Sequence, residues 1–104
     1  MEPIVVFITT ASREEAERIG RMLVERRLAA CVNIVPAVTS FFWWEGRIAS
    51  ESETLMIVKT SRGRFGDLSA AVSAQHSYSV PEIIALPIID GVPAYLAWLK
   101  ENLL

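Results

Sequence analysis

Only one cysteine, Cys31, and one histidine, His76, occur among the 104 residues. A lone cysteine cannot close an intrachain disulfide, so a reducing compartment is expected. One histidine cannot on its own supply the paired nitrogen and sulfur ligands of a closed structural metal site. Neither sign of charge is in excess, since ten Lys and Arg against twelve Asp and Glu leave a net charge of −2. That balance removes the long-range attraction a phosphate backbone needs, and nucleic acid is not expected as a partner. No apolar run approaches the roughly 18 to 20 residues that cross a bilayer as a helix. Met1-Glu2-Pro3 also lacks the basic and apolar regions of a secretion signal. A soluble, cytoplasmic chain with no membrane partner is expected. Absent too are a Gly-rich phosphate loop, a Ser/His/Asp set and a paired cysteine motif, so no catalytic apparatus is legible and the chain is not expected to be an enzyme.

What is abundant is apolar surface. Hydrophobic residues make up 52% of the chain, yet a domain of this size buries only roughly 60 to 70% of its unfolded surface. Exposed apolar area of that extent is commonly buried between identical subunits, which predicts self-association.

The length fits one domain over residues 1–104. Pro3 to Thr10 is a β-branched run apolar on both faces, the pattern of a strand covered on two sides. Ser12 and Glu15 fit a helix capping box, and Ala16, Ile19, Gly20 and Leu23 recur on one helical face. Glu14 with Arg18 and Glu17 with Arg21 are spaced as exposed ion pairs. Gly20 on the apolar side predicts a close approach to a sheet. From Ala29 to Trp44 the pattern is β-rich, with a bulge or bend expected at Pro36. Glu45-Gly46 forms a tight hairpin turn into Arg47-Ile48, and a long strand follows over Glu53 to Thr60. Phe65, Leu68 and Val72 mark a second helix ending near Gln75, Glu82 to Ile89 reads as a strand, and Pro93 opens a short C-terminal helix. The order β-α-β-β-α-β plus a terminal helix predicts an α+β, ferredoxin-like split βαβ sandwich. The consecutive aromatics Phe41 to Trp44 alternate across a strand, so one pair can face a neighbouring subunit. Phe42, Trp43 and Trp44 are the expected interface residues.

Several blocks resemble the CutA divalent-cation-tolerance family: Leu28-Ala29-Ala30-Cys31-Val32-Asn33-Ile34, Trp44-Glu45-Gly46-Arg47-Ile48, Glu53 to Thr60, Val80-Pro81-Glu82-Ile83-Ile84-Ala85-Leu86-Pro87-Ile88 and Tyr95-Leu96-Ala97-Trp98-Leu99. The resemblance implies a homotrimer of ferredoxin-like chains with strands pairing across subunits, and binding of copper or another divalent metal. It also implies a likeness in fold to nitrogen-regulatory PII proteins. Some members have a cysteine where this chain has Thr9 and Thr10, and some have two adjacent histidines at Gln75-His76, so a site built there is poorer in ligands here.

On the residues themselves, His76 is the side chain best suited to a borderline divalent ion such as Cu(II), with Glu82 and Cys31 as lesser candidates. A hydrogen-bonded loop histidine and a buried hydrophobic thiol are the competing readings of His76 and Cys31. The expected function is trimeric, non-enzymatic divalent-metal binding. The alternative is a PII-like regulator that holds a small anionic effector between subunits through Lys59, Arg62 and Arg64. Against a close PII equivalent stands Glu45-Gly46, which leaves room only for a tight turn.

Overall fold

The computed structural model describes residues 1–104. In chain order the elements are β1 (Pro3–Thr10), α1 (Arg13–Glu25), β2 (Cys31–Trp44), β3 (Arg47–Ser61), a 3-10 turn (Arg62–Arg64), α2 (Phe65–Gln75), β4 (Ile83–Pro87) and α3 (Pro93–Glu101). The four strands form one antiparallel sheet in the order β2-β3-β1-β4. This is the split βαβ arrangement expected from the element order, with α1 and α2 on one face.

Residue alternation decides what that face buries. Ile4, Val6 and Ile8 of β1 join Met56 and Val58 of β3 in a core closed by Ile19 and Leu23 of α1 and Leu68 and Val72 of α2. Gly20 lies where the expected close approach occurs, since a Cβ there would stand 3.1 Å from Val32 Cγ1. The other side chains of β1, Pro3, Val5, Phe7 and Thr9, are only half-buried. Two-sided cover, as the run of apolar residues suggested, is therefore incomplete in the single chain. On this second face α3 supplies part of the cover, with Tyr95 beside Cys31 and Leu99 fully buried outside the main core.

Ser12 caps α1, its hydroxyl accepting from the Glu15 N–H at 3.2 Å. The reciprocal half of the capping box does not form, because the Glu15 carboxylate is committed elsewhere. The expected pairs Glu14–Arg18 and Glu17–Arg21 are also replaced. Arg13 bonds Glu17 at 2.9 Å, Arg21 faces Glu25 at 3.9 Å, and Arg18 reaches across to Gln75 Oε1 at 2.9 Å. A long-range acceptor on α2 captures Arg18, and exposed pairs worth at most about 1 kcal/mol do not resist such exchange.

The β2–β3 ladder breaks register between Val35 and Val38, so the bulge expected at Pro36 is present. Thr54 donates its hydroxyl to the freed Pro36 carbonyl at 3.1 Å. Beyond the bulge the alternation of β2 is inverted. Phe42 and Trp44, opposite Ala49 and Arg47, now share a face with Cys31, Asn33 and Val35, while Phe41 and Trp43 lie on the helix side opposite Ser50 and Ile48. The strand β3 runs from Arg47 without a gap, longer than the expected Glu53 to Thr60. Its polar stretch Ser50-Glu51-Ser52 hides the strand pattern, but the backbone continues to pair with β2. Conversely β4 is shorter than Glu82 to Ile89.

Glu45 and Gly46 have φ of +50° and +79°, the left-handed pair of a type I′ hairpin. Gly46→Ala should therefore lower stability by about 1 kcal/mol. Urea unfolding should show the midpoint shifted at constant m-value, and an unmoved midpoint would mean that the tip relaxes without cost.

Candidate functional site

The segment after α2 is fastened to the core by a polar knot. His76 Nε2 lies 2.8 Å from the Thr9 carbonyl, and Nδ1 accepts from the Tyr78 N–H at 3.0 Å. Nδ1 is thus an acceptor and Nε2 carries the hydrogen, which describes a neutral ring. The side chain is fully shielded from solvent.

Glu15 approaches from α1, only 7% exposed. One of its oxygens accepts from the Ser77 N–H at 2.6 Å and the other from the Ser77 hydroxyl at 3.0 Å. Burial pushes the Glu15 carboxyl up, but the two Ser77 bonds outweigh it and hold the group below its ordinary value. From the sheet, Glu53 receives the Tyr78 hydroxyl at 2.7 Å. Burial and then the Glu53 bond and charge drive the Tyr78 phenol far above its ordinary range. The Tyr78 ring also rests against His76, with centroids 4.8 Å apart.

This geometry changes the role expected for His76. Neither ring nitrogen is free to bind a metal, and within the chain no group of three His, Cys, Asp or Glu side chains comes together that could hold one. Cys31 lies at the start of β2, half-exposed, with Lys59 Nζ 3.7 Å from its sulfur. Lys59 also donates to Asn33. Tyr95 completes this second polar cluster, its phenol raised first by burial and then by Cys31. Glu82 is exposed just ahead of β4.

Each of the three basic residues of the alternative reading has its own neighbour within the chain. Lys59 occupies the second face of the sheet, Arg62 faces Glu2 at 3.5 Å and Arg64 faces Asp67 at 3.8 Å. Sequence reasoning did not find Glu15, Glu53, Asn33 or Tyr95 as site residues. Glu15 carried a signal, a carboxylate three residues after a helix cap, but the local pattern assigned it to the helix's own backbone.

The model of the CutA1 divalent ion tolerance protein family matches residues 4–102. The chain belongs to the CutA1 family. The divalent-cation tolerance protein CutA of Thermus thermophilus is 52% identical over 98 residues, covering 94% of this chain and 95% of that protein. The crystal structure of CutA1 from Oryza sativa superposes with a TM-score of 0.98 at 42% identity, covering 100% of this chain and 95% of that one. The structure of the periplasmic divalent cation tolerance protein CutA from Archaeoglobus fulgidus gives 0.94 at 47% identity, over 96% and 97% of the two chains. These matches bear out the CutA resemblance and the α+β fold. As in the sequence, no helix of this CutA1 chain is long and apolar enough to cross a membrane.

Proposed function

We propose that this protein is a homotrimeric, non-enzymatic member of the divalent cation tolerance system that binds a copper-type ion weakly and only across subunit boundaries. The observation that carries the assembly is the unfinished second face of the sheet. Ile84 and Leu86 of β4 are 54% and 51% exposed, and Tyr95, Trp98, Phe42 and Trp44 leave further apolar area open. Both edge strands, β2 and β4, carry unpaired backbone groups beside it. A second copy of the same surface satisfies both needs, and a closed ring of three fits the family resemblance.

The metal reading rests on what remains available. His76 is held in its hydrogen bonds, so Cys31 and Glu82 are the candidate ligands left, and a thiolate with a carboxylate is a donor pair that a borderline divalent ion of the copper type accepts. Two ligands per chain make a shared site necessary. The single unpaired thiol supports a reducing, cytoplasmic setting.

Sedimentation equilibrium at micromolar concentration should return three chains per particle, and a stable monomer or dimer would overturn the assembly. Trp44→Ala should weaken that association. In calorimetric titration with copper(II), Cys31→Ser and Glu82→Gln should each reduce affinity by about tenfold or more. His76→Ala should leave affinity nearly unchanged while lowering thermal stability. Loss of binding in a folded His76→Ala variant would restore that histidine as a ligand and remove the present reading.

A further inference from the structure

A cavity of about 730 Å³ opens where the C-terminal end of α1 meets α2, on the helix-covered side of the sheet. Its apolar wall is Leu28 with Ala70, Ala71 and Ala74, and its charged rim carries Arg26, Arg27 and Arg64. It is a groove open to solvent, lined by ten residues of which five are hydrophobic. Two rim carboxylates are already engaged, Glu25 facing Arg21 at 3.9 Å and Asp67 facing Arg64 at 3.8 Å. No carboxylate lies within ion-pair distance of Arg26 or Arg27, the Leu104 terminus included.

Arg27 is the unusual member. It sits just past the end of α1 with φ of +57°, and the Leu28 N–H bonds back to the Leu23 carbonyl at 2.9 Å. That is the left-handed position closing a helix, where glycine is ordinarily favoured. Complementing the helix dipole explains a basic residue near the helix end, such as Arg26. It does not explain a bulky side chain at a helix-closing position where the backbone favours glycine. The Arg27 carbonyl accepts from the Leu104 N–H at 3.2 Å, so the C-terminus braces this corner.

We propose that this groove binds a small organic oxyanion, its phosphate or carboxylate held by the guanidinium groups of Arg26 and Arg27 and its apolar body laid against Leu28 and the α2 alanines. Arg64 also lines this groove. The groove uses residues of one chain only and lies on the opposite side of the sheet from Ile84 and Leu86, the face on which the proposed assembly rests.

Phenyl phosphate, benzoate and inorganic phosphate, each titrated calorimetrically into the full chain at low salt, test the proposal. Phenyl phosphate or benzoate should saturate one site per chain in the low millimolar range or tighter. Inorganic phosphate should bind more weakly because it leaves the alanine wall uncovered. The order of phenyl phosphate and benzoate tells which oxyanion the rim prefers. Arg27→Gly should weaken binding by about tenfold or more while leaving Tm unchanged or higher, since glycine suits the left-handed backbone. Arg26→Ala should weaken binding likewise, and Arg47→Ala, on the distant hairpin, should not. Absence of saturable binding by both organic anions would overturn the proposal, and so would equal affinity in wild type and both rim variants.

Discussion

Glu15→Ala should be among the more damaging single changes in this chain, with an expected loss of about 2 to 3 kcal/mol in unfolding free energy. The carboxylate is buried and accepts two bonds from Ser77, one of them from a backbone N–H that would be left without a partner. The damage should spread to His76 and Tyr78, which the same segment positions. Glu15→Gln, keeping one acceptor oxygen, should cost less than Glu15→Ala.

The acid dependence follows from the direction of the Glu15 shift. Its folded value lies below the ordinary 4.5, so the native state holds the proton less readily than the unfolded chain. The stabilisation is complete above the unfolded value and is lost as pH falls through the folded one. Denaturant unfolding of wild type and Glu15→Gln between pH 7 and pH 3 reads this directly. The gap between the two proteins should be constant down to about the ordinary carboxylate range and should close below it. A gap that stayed constant to pH 3 would remove Glu15 from the acid response, and a Glu15→Ala variant as stable as wild type would remove the knot as a structural element.

The joint substitution Ile84→Asp and Leu86→Asp should dissolve the proposed trimer. Both side chains stand on the open face of β4, opposite Phe7 and Val5 in the ladder with β1. Both are already about half-buried, so completing the burial is worth about 1 kcal/mol each, and burying an unpaired carboxylate in place of each adds about 1 to 3 kcal/mol. Association should weaken by about 4 kcal/mol or more per subunit, roughly a thousandfold. The helix-side core contains neither residue, so the chain should remain folded, with a native far-UV spectrum and the mass of one 11.6 kDa chain in sedimentation equilibrium. A variant that still sedimented as three chains would transfer the interface to the aromatic hairpin. A wild type that was already monomeric would leave no trimer to explain.

The aromatic run shows how far alternation carries. That Phe41 to Trp44 would divide between two faces was legible, because successive strand residues point to opposite sides. Which pair joins the face of Cys31 was not, since the bulge at Pro36 inverts the alternation and its exact register depends on pairing with β3. Trp43 accordingly parts from Phe42 and Trp44, although all three were expected at one interface.

The family was legible only through the resemblance of five ordered blocks, while composition and spacing alone determined the order of elements, the tight Glu45-Gly46 turn, the bulge at Pro36 and the close packing at Gly20. Each depends on local backbone geometry or on a short repeat of apolar residues, which neighbouring residues are enough to specify. Only the tertiary structure decided the fate of His76, Glu15 and Arg18. Their partners lie 67, 62 and 57 positions away, at Thr9, Ser77 and Gln75. A side chain with several acceptable partners takes the one that packing brings within reach, and that choice is not written in its own neighbourhood. The same holds for Arg27, whose left-handed backbone arises because the chain must turn at once from α1 into the buried Leu28 and Ala29.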